Sequence, residues 1–345
     1  MLSGRRNSAG PKTVCLLALL SFLFLLNAIH PLKLACQQTP VALPSQTTPP
    51  PAFVLRDPIP ASQLAFLNEY AGKATKLLHK DKRFRELSKL IIPDTLYHYG
   101  HDMSLPAALN LVLENSQEPV AIRDGRFVSV AGLNGPFLQG RGLLWFDMQE
   151  GIALGGFHFA PSNGEPTPTL TVFSTQLRGK ALSMGQLPDD FAQDLAQWNV
   201  AAGAPVVSPR YFIPEDGKKY VLEHDEDYCW HEENAPAPPE AECGQMNADA
   251  ADADMNAAYF MQQTHNKANA TAWMLGKDQT TWLAERDNGC GIGPTVMHCR
   301  LGMTRMRTGV LLGHAPAPPH HPMPLHHPMP PPRRMPPPPP VHIRR

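Results

Sequence analysis

The sequence contains none of the short signatures that fix a chemistry: no GxSxG elbow, no HExxH pair, no Walker loop and no dinucleotide fingerprint. That excludes a reaction announced by local spacing, although catalytic groups scattered through a fold leave no such mark. Charge is scarce as well. Asp, Glu, Lys and Arg make up 18% of the chain and the formal net charge is −1, which removes any whole-chain case for nucleic acid or an acidic substrate. There are six cysteines and no CxxC pair, which counts against a zinc site. The apolar run Val14 to Ile29 is slightly short for a membrane-spanning helix. Proline is the residue in excess, with 38 in 345 residues, and it clusters outside the stretches patterned to fold.

Arg5, Arg6 and Lys12 precede that apolar run, so residues 1–35 read as a targeting segment. A cleaved signal peptide is the expectation. Neither Ala28 nor Ala35 has a small residue at −3, which keeps an uncleaved anchor through residues 14–29 as an alternative. Lipidation at Cys36 is a third, against which Lys33 stands where such a signal wants an apolar residue. All three imply export to a periplasmic or extracellular space. With Cys15 and Cys36 assigned to the leader, Cys229, Cys243, Cys290 and Cys299 remain, an even number that suggests two disulfides. Of the three pairings, Cys229–Cys243 with Cys290–Cys299 closes two short loops, the second turning on Gly291, Gly293 and Pro294. Each such loop stabilises by about 2–3 kcal/mol.

Residues 36–60 are rich in Pro, Thr, Gln and Ser and read as an extended linker. Residues 61–228 carry mixed patterning. Leu64, Leu67, Ala71, Ala74 and Leu78 predict a helix over 61–92 with Ser62 as N-cap and Pro93 as its stop. A second helix starts at Ser104 with Pro106 in its first turn. Two hairpins follow, one about Asp124-Gly125 and one about Gln149 to Gly151, then the strand TLTVFSTQL, a helix over about 188–201, and a hairpin turning on Glu215 to Lys218. The fold class is α+β: a mixed domain with an antiparallel sheet, followed by a small disulfide-stapled helical module, with disordered ends. Two stretches of the mixed domain are candidates for chemistry. One combines Gly151, Gly155, Gly156 and His158 with Asn163 and Glu165. The other is HDEDYCWHEE, with His224, Asp225, Glu226, Asp227, His231, Glu232 and Glu233. Its spacing matches no calcium loop, so a solvated acidic connector is the expectation.

Residues 229–313 read as three helices. Gln279, Trp282, Arg286 and Cys290 recur at three, four and four, forming one stripe that delivers the cysteine. Cys299, Met303, Met306 and Val310 share a face of the last helix. Three runs carry a resemblance. ADADMNAAY supplies Asp252, Asp254, Met255, Asn256 and Tyr259; QTTWLAERDNGC supplies Gln279, Trp282, Arg286, Asp287 and Cys290; Cys299 is followed by Thr304 and Arg307. Together, over about residues 240–312, these resemble the LprI-type lysozyme-inhibitor domain. Relatives often carry a cysteine shortly after a Met-Asn pair, whereas Met246-Asn247 is followed here by Ala248 and Asp249. That departure implies Cys229 as the substitute partner of Cys243.

The resemblance implies an exported, helical, disulfide-stapled binding domain whose partner is a protein: a lysozyme or another cell-wall hydrolase. A hydrolase cleft with two carboxylates would suit an arginine, so Arg300, Arg305 and Arg307 are the candidate binding residues. Asp254, Asn256, Tyr259, Gln279, Trp282, Arg286, Asp287 and Thr304 are expected to brace the helices. Residues 314–345 form a Pro-rich tail expected to be a disordered tether, whose pairs His320-His321 and His326-His327 are a candidate site for copper or nickel. The leading expectation is an exported, non-enzymatic binding protein without a cofactor. An envelope metal-binding protein and a hydrolase using His158 and Glu165 are the alternatives.

Overall fold

The computed structural model describes residues 54–133, 135, 140–160, 164–166, 168–267, 271–293 and 295–314. The expectations for the leader, for Cys36, for Asn163 and for the tail histidines His320, His321, His326 and His327 lie outside these residues. Among the described residues no helix is long and apolar enough to cross a membrane.

The stretch 61–92 contains three α-helices and a 3-10 helix where one helix was expected: α1 (Ala61–Leu64), which runs on into the 3-10 helix Ala65–Tyr70, then α2 (Thr75–His79) and α3 (Lys82–Ile91). The periodicity is real, since Leu64, Leu67 and Leu78 are all buried. The backbone between α1 and α2, however, is held by a neighbouring segment. Gly72 turns with a positive φ of 70° and donates to the Val120 carbonyl, Val120 donates to that of Lys73, and Thr75 donates to that of Glu118. A bonded edge outside the window defeats a helical reading of it. Pro60, not Ser62, stands at the start of α1. The linker also ends early: Val54 and Ile59 are buried, Arg56 donates to Gln176 and Ile59 to Gly151, so residues 54–60 lie on the domain.

A two-stranded hairpin, β1 (Leu96–Tyr99) and β2 (His101–Ser104), leads into α4 (Leu105–Leu113). Ser104 caps α4 by accepting from the Ala107 N–H. The large sheet then assembles from β3 (Ala121–Arg123), β4 (Phe127–Gly132), β5 (Arg141–Asp147), β6 (Ile152–Phe159) and β7 (Thr169–Phe173), each antiparallel to the last. Asp124 and Gly125 both have positive φ, as the tight hairpin between β3 and β4 requires. After the short β8 (Leu182–Ser183), α5 (Asp189–Ala201) carries the chain back. β9 (Arg210–Ile213) then joins β7 in parallel and pairs antiparallel with β10 (Tyr220–Glu223), which pairs in parallel with β8. The sheet is therefore mixed, with order β3-β4-β5-β6-β7-β9-β10-β8.

Both faces are covered. On one, α4, the β1–β2 hairpin and the helices before it bury Val128, Leu144, Phe146, Phe157 and Phe173. On the other, α5 buries Trp145, Leu154, Val172 and Phe212 through Phe191, Leu195 and Trp198. α5 is fixed by charge as well: Arg123 meets Asp190 and Asp194, and the Trp145 indole N–H donates to Asp194. Gly155 has a packing role, since a Cβ there would lie 2.1 Å from the Phe173 ring. Three helices complete the chain: α6 (Glu240–Asn266), α7 (Ala272–Cys290) and α8 (Val296–Leu311). Met255, Ala257 and Ala258 of α6, with Leu311, close over Tyr211 and Val221, a cross-strand pair of β9 and β10.

Candidate functional site

α6 carries Ala248, Ala250, Ala251, Ala253, Ala257 and Ala258, all buried. Small side chains let the sheet approach one side of the helix and α8 the other. Polar groups then set the register. Asp252 of α6 is the hub: Arg286 of α7 meets it at 2.6 Å, Arg300 of α8 at 3.2 Å, and the Thr304 hydroxyl donates to it at 3.0 Å. Arg286 also donates to Thr304 and to Asp287, and its guanidinium lies 5.3 Å from the centre of the Trp282 ring. Its side chain is only 5% exposed. Three helices thus share one buried cation. Alongside, Arg307 donates to Gln279 and pairs with Asp278, while Gln279 reaches the Met255 sulfur.

Both disulfides have the local pairing, Cys229–Cys243 with Cα atoms 4.9 Å apart and Cys290–Cys299 with Cα atoms 5.5 Å apart. The first ties the segment after β10 to α6, and the second ties the end of α7 to the start of α8.

Of the residues expected to brace the module, Gln279, Trp282, Arg286, Asp287 and Thr304 meet in this network. Tyr259 is half-buried and its hydroxyl is reached by Gln263. Asn256 is exposed. Asp254 faces the sheet instead, accepting from the backbone N–H of His224 at 2.9 Å and lying 2.6 Å from its Nδ1. The candidate binding arginines sit on α8, not on a loop. Arg300 and Arg307 are paired inside the module, and Arg305 is exposed.

The acidic stretch is largely solvated, as expected of a connector, and three of its carboxylates are also tied to neighbours. Asp225 accepts from the Ser183 hydroxyl and the Gly185 N–H, Glu226 pairs with Arg210, and Asp227 accepts from the Cys229 N–H and from Asn247. Each carboxylate holds the strap between β10 and α6 to its neighbours. Arg210 and its hydrogen bond hold Glu226 below the usual carboxylate range against the opposing effect of burial. His224 is buried and Glu226 half-buried, while Asp225, Asp227, His231, Glu232 and Glu233 are exposed. Among the described residues no cluster of His, Cys, Asp and Glu is arranged to hold a metal.

The other candidate chemistry is divided by the sheet. Phe157, Thr171 and Tyr211 are register partners across β6, β7 and β9, as are His158, Leu170 and Arg210 one step along. Alternation puts these two sets on opposite faces. Glu165 belongs with the first set: its buried carboxylate pairs with Lys219, whose ammonium lies over the Tyr97 and Tyr211 rings. Burial, with the Glu165 charge second, pushes the Tyr211 phenol well above its ordinary range. His158 belongs with the second set, 4% exposed, and neither ring nitrogen has a hydrogen-bond partner among the described residues. Burial, then the charge of Arg141, brings its pKa down to about 4. No acid/base pair is formed.

The geometry defines a disulfide-pinned three-helix module docked on a mixed sheet, its polar side chains occupied in holding helices together. Residues 232–311 match the family model of the lysozyme inhibitor LprI. The match covers all three helices in full and leaves the sheet unassigned. No curated protein and no solved structure gives a significant match.

Proposed function

We propose that this is an exported, non-enzymatic protein that binds and inhibits a lysozyme-type cell-wall hydrolase through its C-terminal helical module. The observation that carries the reading is the coincidence of the LprI match with the Asp252–Arg286–Thr304 network and the two disulfides. A binder of this kind works by presenting a rigid surface, and ordering that surface before contact lowers the cost of association. Export fits the apolar leader and the disulfides.

The test is an inhibition titration of the secreted chain, oxidised and reduced, against several classes of lysozyme. The expected result is stoichiometric inhibition that weakens on reduction. Absence of inhibition by the oxidised chain across all classes would overturn the reading. Metal capture by His320, His321, His326 and His327 remains a separate proposal, and equilibrium dialysis against copper and nickel, with and without residues 314–345, decides it.

A further inference from the structure

One end of the helical module is built differently from the rest. Between the N-terminal halves of α6 and α8 runs a groove of about 720 Å³, lined by Cys229, Glu240, Gly244, Val296, Met297 and Leu301 among others. Each disulfide fixes part of its wall, Cys229–Cys243 on the α6 side and Cys290–Cys299 at the turn into α8. Two large exposed apolar residues adjoin lining residues in the chain. Trp230, next in the chain to Cys229, is 71% exposed, and Ile292, next to the lining Gly293, is fully exposed.

Charge is distributed just as unevenly. From Asp225 to Asn266 the chain has no lysine or arginine. Glu232, Glu233, Glu240 and Glu242 in this stretch are exposed, Glu240 in the groove lining, and none has an ion-pair partner among the described residues. Of the module's arginines, Arg286, Arg300 and Arg307 are paired internally. On the α8 side stand His298 in the lining and, one turn beyond Leu301, the exposed Arg305, whose charge acts on Asp227.

We propose that this groove is the surface that seats the hydrolase, recognising a cationic protein edge with Glu232, Glu233, Glu240 and Glu242 and taking apolar contacts on Trp230 and Ile292. The proposal rests on the inhibitor reading. An enzyme that works on an anionic wall polymer gains from a positive surface, and the same surface is attracted to an acidic rim. A tryptophan left in solvent one residue along the chain from a rigid apolar groove is the kind of anchor that dominates an interface. Arginine insertion is not needed, because two of the three candidate arginines hold the module together.

The test uses the full secreted chain and a lysozyme that the wild type inhibits. Trp230→Ala and Ile292→Ala should each weaken inhibition by at least about tenfold. Combined Glu232→Lys, Glu233→Lys and Glu240→Lys should weaken it similarly, mainly through a slower on-rate, and should flatten its dependence on salt. Trp273→Ala, at an exposed site outside the groove lining, should change nothing, and circular dichroism should show every variant folded. If the wild type inhibits and the folded groove variants inhibit equally well, the groove proposal falls while the inhibitor reading stands. If those variants alter only self-association in sedimentation, the groove seats a second copy and the proposal again falls. A wild type that inhibits no lysozyme overturns both.

Discussion

Arg286 shows how one side chain can be decisive. It is buried, it meets a carboxylate from another helix, and it donates to Thr304 on a third. Replacing it with alanine leaves Asp252 short of its main partner, and breaking a buried pair from one side costs about 3–5 kcal/mol. Arg286→Ala should therefore lower the denaturation midpoint markedly, whereas Arg305→Ala, at an exposed position, should stay within about 0.5 kcal/mol. Urea titration of both variants checks the contrast. His158 makes a prediction of a different kind. Its folded pKa of about 4 lies below the ordinary value of 6.5, so on acidification the unfolded chain takes the proton first. Its share of stability is intact above pH 6.5 and is lost as pH falls from there towards 4, a loss of roughly 2–3 kcal/mol. Thermal melts across that window should fall less steeply for His158→Gln than for the wild type. At this scale the sequence was informative where residues repeat at helical spacing, as in Gln279, Trp282 and Arg286. It was silent on Asp252 as the hub, because only the packing of three helices tells which carboxylate faces the arginine.

α6 is the element on which the C-terminal half depends. Its pattern looked bland because a helix buried on two sides has no single apolar stripe, and its alanines carry little signal. The strap before it is largely exposed, as its acidic run suggests, but how its carboxylates are tied was not legible, because Ser183, Arg210 and Asn247 lie far from it in sequence. The same limit explains the three α-helices of residues 61–92, where the competing segment at 118–120 was outside the window. Hairpins and the two disulfide loops were legible because turn chemistry and short closures are local. Two predictions belong to these elements. Asp254→Ala leaves His224 without its carboxylate and should destabilise by about 2–3 kcal/mol, with faster amide exchange concentrated in α6 and β10. Replacing Cys290 and Cys299 by serine should cost about 2–3 kcal/mol. That loss should appear as faster exchange in the α7–α8 turn, while β5 and β6 remain protected.

For the whole molecule, the mixed sheet and the helical module are joined by a core of their own, with Tyr211 and Val221 on one side and Met255, Ala257, Ala258 and Leu311 on the other. Removing residues 315–345 deletes none of these groups, and the shortened chain should melt within about 1 °C of the full one, as calorimetry would show. The arrangement also governs portability. The family match begins at Glu232, yet the helices rest on β9 and β10. A segment cut at the match would leave behind Cys229, the partner of Cys243, and His224, the partner of Asp254. Transplanting the helical module into another protein would therefore require the strands as well, and any partner held by the helices would be carried at a fixed attitude to the sheet, without a hinge to swing on.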